Sequence, residues 1–215
     1  MDMKNWKHLM LATATLGLLW SCGGAAEEAD TNNDEENNAP SCFYKYNSES
    51  TSLEWTAFKF TDKAPVKGTF TEMDITGTLE SDDPVALLSS LNFTIATQSV
   101  ETQNTDRNGK IVEHFFQTLE TDALTGKMLE MNEDGTATIE VNMHNMSGKV
   151  AGTYTWENNV FTFKGTMDVA NWDGMAGIDA LNEVCKDLHT GEDGVSKLWS
   201  TLDLMFSTTL QSDCE

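Results

Sequence analysis

Apolar and polar residues alternate with a period of two through much of the second half of the chain. In TATIEVNMH the apolar residues Ala137, Ile139, Val141 and Met143 share one face, and polar residues occupy the other. Because side chains of a β-strand point alternately to opposite faces, this pattern predicts strands with one buried and one wet face. The same alternation recurs in KVAGTYTWE, VFTFKGTMDV and STLDLMFSTTL.

Turn-forming residues separate these runs at 133–135, 145–148 and 157–159. Earlier in the chain, SLEWTAFKF, VKGTFTEMDITGTL and NFTIATQSV predict three or four further strands. About eight strands without a βαβ rhythm are typical of one closed antiparallel barrel. The predicted fold class is therefore all-β, a single eight-stranded antiparallel barrel with short helices.

Three segments depart from the alternation and predict those short helices. One begins at Asp82-Asp83-Pro84, since an acidic residue before a proline favours a helix start. A second, from Arg107 to Gln117, groups its apolar residues at helical spacing. A third, from Met175 to His189, has five residues on one predicted face: Ile178, Leu181, Val184, Cys185 and Leu188.

The N-terminus has the pattern of an export signal. Leu9 to Trp20 is an apolar run of twelve residues that follows Lys4 and Lys7. This run is shorter than the ~20 residues that span a bilayer, and a basic start before a short apolar stretch is typical of a secretory signal. Leu19-Trp20-Ser21-Cys22 is similar to the bacterial lipobox, in which the cysteine receives the lipid. The alternative is an ordinary signal peptide with an incidental cysteine.

These patterns divide the chain into three parts. Residues 1–21 are predicted to be a lipoprotein signal peptide, 22–41 a lipid anchor with an acidic flexible tether, and 42–215 the barrel domain. The chain is thereby expected to be an outer-membrane lipoprotein of a bacterial cell envelope, facing the periplasm or the surface. Removing residues 1–21, which carry a net charge of +1, takes the formal charge from −22 to −23. Such a surface repels nucleic acid.

The sequence contains no recognisable catalytic or metal-binding motif. His114, His144 and His189 are far apart in the sequence, and His144 falls on the polar face of its predicted strand. Neither a short His spacing nor a C-x-x-C pair is present to hold zinc or iron. We therefore expect a protein that is not an enzyme and holds no metal.

The cysteines predict one disulfide. With Cys22 lipidated, three cysteines remain in an oxidising compartment, so one stays free or pairs with another chain. In a closed barrel, the start of the first strand lies beside the end of the last. Cys42 and Cys214 occupy those two places, which predicts that they pair and leave Cys185 free.

Two segments resemble the YceI-like family of exported bacterial proteins. They are SLEWTAFKFTDKAPVKGTF and SVETQNTDRNGKIVEHFF, and the similarity extends over roughly residues 50–212. The matching positions are Trp55, Lys59, Val66, Gly68, Phe70, Ser99, Val100, Thr102, Arg107, Phe115 and Phe116.

The resemblance implies a lipocalin-like barrel that holds a long isoprenoid chain, a polyprenyl or quinone lipid, in its interior. An eight-stranded barrel is wide enough either to be filled by side chains or to hold one small ligand. The residues expected to contact such a lipid are Trp55, Phe70, Phe93, Ile95, Phe115, Phe116, Tyr154, Trp156, Phe161, Phe163, Leu204 and Phe206.

Two functions are consistent with these observations. The first is non-catalytic binding or transport of an apolar polyisoprenoid-type lipid by a membrane-tethered lipoprotein. The second is an envelope or surface lipoprotein with a solid barrel, which acts through a protein partner. A continuous apolar cavity favours the first function, and a filled barrel favours the second.

We predict that the mature protein begins at Cys22 and partitions with membranes, because two or more acyl chains hold a protein stably at a bilayer. Intact-mass measurement of protein from its native gene should show an acylated N-terminus, and Cys22→Ser should release the protein or stall its processing. A soluble, unmodified product would contradict this prediction.

Overall fold

The computed structural model describes residues 42–214, which contain thirteen strands and four α-helices. The strands are β1 (Cys42–Lys45), β2 (Thr51–Lys59), β3 (Ala64–Phe70), β4 (Met73–Thr76), β5 (Glu80–Ser81), β6 (Asn92–Ala96), β7 (Val100–Glu101), β8 (Ala123–Met131), β9 (Thr136–Met143), β10 (Met146–Glu157), β11 (Val160–Asp168), β12 (Leu198–Thr209) and β13 (Gln211–Cys214). The helices are α1 (Pro84–Ser90), α2 (Thr105–Ile111), α3 (Met175–Val184) and α4 (Lys186–His189). The predicted signal, the anchor at Cys22 and the tether lie outside the described residues.

Eight strands close into a barrel. Strands β8, β9, β10, β11, β12, β2 and β3 pair antiparallel in that order. The chain bends between β3 and β4 and again between β6 and β7, so that β3 pairs with β7 while β4 pairs with β6. Hydrogen bonds from Thr71 N to Ser99 O (3.0 Å) and from Ala96 N to Glu72 O (3.2 Å) continue the pairing through the bends. Since β6 also pairs with β8, the ring is complete and the predicted fold is confirmed.

Two tight hairpins form at residues that tolerate a positive φ. His144 and Asn145 join β9 to β10 with φ values of 51° and 57°, and Asn158 and Asn159 join β10 to β11 with values of 52° and 63°. Two consecutive left-handed residues match the twist of the strands on either side. The predicted turn at 145–148 was therefore placed too late, and His144 belongs to the turn rather than to a strand face. Its Nδ1 lies 2.6 Å from the carbonyl oxygen of Leu119.

One end of the barrel, where β2 begins and β12 ends, is closed by apolar packing. There α1 connects β5 to β6, and a three-stranded sheet forms in the order β13-β1-β5. Leu87 and Leu88 of α1, together with Leu210 before β13, are buried in the same core as the barrel interior. Asp83 caps α1, because its Oδ1 accepts hydrogen bonds from the backbone N–H groups of Val85 and Ala86, as the acidic start predicts.

The three-stranded sheet also carries the disulfide. Cys42 lies directly opposite Cys214 in the β1–β13 pair, and the two are bonded. The predicted pairing is therefore present, and Cys185 is a buried free thiol.

The other end of the barrel carries α2, α3 and α4. The predicted helix at 107–117 begins earlier, at Thr105, and widens into a π-helical turn over Val112–Phe116. The predicted helix at 175–189 is broken at Cys185, whose carbonyl oxygen accepts hydrogen bonds from the N–H groups of both Leu188 and His189. Leu188 lies beyond this break and is 57% exposed instead of buried, and Val184, the last residue of α3, is 46% exposed.

Inside the barrel, aromatic rings lie against glycines of the neighbouring strand. Trp55 of β2 is opposite Gly68 of β3, and Phe93 of β6 is opposite Gly126 of β8. A Cβ atom on Gly68 would lie 2.2 Å from Cζ2 of Trp55, and one on Gly126 would lie 2.3 Å from Cζ of Phe93. Both separations are far below van der Waals contact, so the missing side chains allow the rings to lie close to the wall.

We predict that Gly68→Ala destabilises the protein by about 1–3 kcal/mol, because the added methyl group overpacks the Trp55 ring. Urea unfolding followed by circular dichroism measures the free energy of unfolding. Gly109→Ala in α2 is the control, since a Cβ there meets nothing within 4 Å and alanine favours a helix. Equal stability of Gly68→Ala and wild type would show that the Trp55 ring can make room for a methyl group at position 68.

Removing the disulfide with Cys42→Ser plus Cys214→Ser should lower the free energy of unfolding by up to about 5 kcal/mol, because the bond closes a loop whose ends are 172 residues apart. Denaturant midpoints of the variant and of the wild type provide the test. Cys185→Ser is the matched control for the loss of a thiol. An unchanged midpoint for the double variant would show that the closed end is held by packing alone.

Candidate functional site

The barrel encloses an apolar cavity of about 220 Å³. Thirty of its thirty-two lining residues are apolar, and the other two are Asn92 and Ser200. The period-two alternation explains this lining, because every second residue of each barrel strand points inward.

Side chains of every barrel strand except β10 line the cavity, but they differ in how closely they are packed. Phe161 and Phe163 of β11 line it but are only 0% and 1% exposed, so these two rings are closely packed. Leu53 of β2, Ile139 of β9 and Leu204 of β12 also point inward, yet each keeps partial exposure. The barrel is therefore neither filled throughout nor an open tube.

Ten of the twelve predicted contact residues line this cavity: Trp55, Phe70, Phe93, Ile95, Phe115, Phe116, Phe161, Phe163, Leu204 and Phe206. The other two, Tyr154 and Trp156 on β10, do not line it. The Tyr154 ring packs 5.6 Å from the ring of Phe161, and its hydroxyl donates to Asn132 O. Trp156 packs edge-on against Tyr44 of β1, with 6.1 Å between the ring centres. Both aromatic rings therefore take part in packing near the closed end.

The predicted contact residues include Phe115 and Phe116 of the π-helical turn but none of the lining residues on the α-helices. These are Leu88 of α1, Ile111 of α2, and Ile178 and Leu181 of α3. Helical periodicity showed that α3 has an apolar face, but it could not show that this face covers a barrel end. Gly177 permits the covering, since a Cβ there would lie 2.8 Å from the ring of Phe115.

A cavity of 220 Å³ accommodates part of a long lipid. A dry apolar cavity of about 150 Å³ holds a benzene molecule, and sites for drug-sized ligands reach about 300–1,000 Å³. The cavity as it stands therefore fits a short stretch of hydrocarbon. A longer lipid chain fits only if partly exposed side chains of the cavity lining, such as Phe206, move aside, or if the rest of the lipid extends out of the cavity.

Ionisable groups do not line the cavity in the described part of the chain, and residues 42–214 contain no group of three His, Cys, Asp or Glu placed to hold a metal. Burial raises the pKa of the Cys185 thiol, which disfavours the reactive thiolate. Burial also lowers the pKa of His189, with a smaller effect from the positive charge of Lys59, and its Nδ1 lies 3.0 Å from Oδ1 of Asn182.

Within residues 42–214, none of the helices combines the length and the apolar character needed to cross a bilayer.

An eight-stranded antiparallel barrel with an apolar interior is the lipocalin-like fold. The model of the YceI-like domain matches residues 44–197, so the chain belongs to the YceI-like family. The resemblance seen in the sequence is therefore confirmed.

Two solved structures share the fold. A polyisoprenoid binding domain from Saccharophagus degradans, implicated in plant cell wall breakdown, superposes with a TM-score of 0.56 at 12% identity, covering 81% of this chain and 99% of that one. BcnA from Burkholderia cenocepacia superposes with a TM-score of 0.51 at 11% identity, covering 78% and 99%. No curated protein sequence matches the chain.

Proposed function

We propose that this protein binds an apolar lipid of the polyisoprenoid type in its barrel, as a carrier that does not change the lipid chemically. We further propose that it works as a lipoprotein of a bacterial cell envelope, tethered to the outer membrane through a lipid on Cys22. The observation that carries the proposal is the interior cavity, in which thirty of thirty-two lining residues are apolar.

The energetics of burial favour a long hydrocarbon ligand. Each CH₂ group removed from water contributes about 0.8 kcal/mol, so a few isoprene units contribute enough to retain a lipid through purification. Charged and strongly polar ligands are disfavoured, because few lining groups can replace their hydrogen bonds to water.

The comparisons support the same ligand class. The structure from Saccharophagus degradans is described as a polyisoprenoid binding domain, and its fold covers 81% of this chain. We extend that ligand class to this protein because ten aromatic and aliphatic residues chosen from the sequence meet around one cavity.

The proposed location rests on the N-terminal sequence. Cys22 lies in a lipobox-like setting, and residues 22–41 are rich in acids and small residues. A net charge of −22 makes nucleic acid an unsuitable partner.

Protein purified from a bacterial host should release a near-stoichiometric polyprenyl or quinone lipid on organic extraction, separate from the N-terminal acyl chains. Mass spectrometry of the extract tests this. If no lipid is extracted, and added polyprenols do not bind, the carrier proposal is wrong and a protein-interaction role replaces it.

A cavity-filling substitution provides the sharpest variant. Ala57 of β2 lines the cavity and is partly exposed, so Ala57→Phe should place a ring in the space that the lipid occupies. We expect about tenfold less bound lipid, since losing contact with two CH₂ groups already weakens binding that much. Ala151→Phe on the outer face of β10 is the control, because Ala151 is exposed. A charged substitution of Phe163 would be a less specific test. Phe163 is only 1% exposed, so a charge there would disturb folding as well as lipid binding.

A further inference from the structure

Three large apolar side chains are exposed on the segment that runs from the end of α3 to the start of β12. They are Val184 at the end of α3, Leu188 in α4 and Val195 in the loop before β12, with exposures of 46%, 57% and 47%. A helical segment that only covers a barrel end is expected to show polar residues on its outer side. This outer side is instead suited to contact with another apolar surface.

Hydrogen bonds hold this segment beside the β2–β3 hairpin. Nζ of Lys59 donates to the carbonyl oxygen of Leu188 (3.0 Å), and the Thr61 hydroxyl donates to the carboxylate of Asp193 (2.7 Å). The same carboxylate accepts a hydrogen bond from Val195 N (3.0 Å). The exposed apolar side chains and the tip of the hairpin therefore belong to one surface at the helical end of the barrel.

Two exposed lysines of this surface lie over one aromatic ring. Nζ of Lys63, in the hairpin, and Nζ of Lys197, directly before β12, lie 4.3 and 4.8 Å from the centre of the Trp199 ring. Among residues 42–214, neither lysine has a carboxylate oxygen within 4.0 Å. Tryptophan is enriched at the boundary between water and a bilayer, and the long stem of lysine lets its charge reach the headgroups from an apolar surface.

This surface is also nearly neutral, although the protein is strongly acidic. Residues 59–63 and 183–197 contain four lysines and five acidic residues, a net charge of −1. The whole chain has 13 basic and 35 acidic residues. Repulsion between this surface and the phosphates of a bilayer is therefore much weaker than the charge of the whole chain would suggest.

The kind of partner follows from this mixture of side chains. Lysine is depleted in the buried core of protein–protein interfaces, whereas exposed aliphatic side chains combined with lysine and tryptophan are typical of surfaces that rest on a bilayer. The segment also reaches the cavity, because Ile178 and Leu181 of α3 line it. Contact with a bilayer would therefore bring the cover of the cavity against the membrane.

We propose that the surface formed by Val184, Leu188, Val195, Lys63 and Lys197 docks reversibly on a phospholipid bilayer. The three apolar side chains enter the boundary of the hydrocarbon layer, and the two lysines reach the headgroup phosphates. Three partly exposed side chains bury little area, so the contact is transient and does not replace a lipid anchor. This inference goes beyond the proposed function, since it concerns the outer surface and holds whatever the barrel contains.

The test asks whether a label at position 188 enters a bilayer. The full chain with Cys22→Ser, Cys185→Ser and Leu188→Cys receives a fluorescent dye on the new thiol. It is mixed with vesicles of phosphatidylethanolamine and phosphatidylglycerol that contain a nitroxide-bearing phospholipid as quencher. We expect the dye at position 188 to be quenched. The same dye on Ala151→Cys, at an exposed position on the outer face of β10, is the control and should stay unquenched. Both proteins share one N-terminus, so binding through that region is common to both.

Charge reversal tests the part played by the lysines. Lys63→Glu plus Lys197→Glu in the protein labelled at position 188 should raise the lipid concentration for half-maximal quenching at least about tenfold, since each lysine near an anionic bilayer contributes to binding. Lys127→Glu plus Lys164→Glu, at exposed positions on the outer faces of β8 and β11, changes the total charge equally and should leave the curve unchanged.

Three outcomes would overturn the docking surface: no quenching at position 188, equal quenching at positions 188 and 151, or a reversal of Lys63 and Lys197 that changes nothing. The exposed apolar side chains would then be left to a protein partner. A polyisoprenoid extracted from a protein that fails to dock would leave the carrier proposal intact, so the two proposals fail separately. Circular dichroism of each variant verifies that it is folded.

Discussion

Ring closure is the constraint on which the rest of this structure depends. Eight strands joined edge to edge fix the width of the space they enclose, so the inward side chains must divide a set volume between packing and cavity. The glycines opposite Trp55 and Phe93 affect that division, because they allow large rings to lie close to the wall. Phe161 and Phe163 are almost fully buried, so close packing takes up part of the enclosed volume. The cavity is the part of the interior that the inward side chains leave unfilled.

The two ends of the barrel differ in chemistry because different connecting segments cover them. At one end, α1 and the disulfide-linked sheet supply leucines and tie the first strand to the last. At the other end, helices that join distant strands cover the opening, and Lys59 and Ser200 lie on the strands beneath them.

Local patterns predicted most of the fold, because strand alternation and helix starts depend on neighbouring residues. The inward positions of Val141, Phe161 and Leu204 and the Asp83 cap are of this kind. Features set by distant contacts were missed. The break at Cys185 depends on how α4 folds back on that carbonyl, and Tyr154 and Trp156 are kept from the cavity by partners at the closed end. Likewise, periodicity identifies an inward face but not the free volume beside it.

The disulfide also gives the domain a direction relative to its point of attachment. Cys42 lies at the closed end, so whatever precedes it in the chain is joined there, and the helical end is the opposite pole. An attachment made through the chain before Cys42 therefore acts on the closed end, where the disulfide ties the first strand to the last, and the covering helices lie at the far end of the barrel.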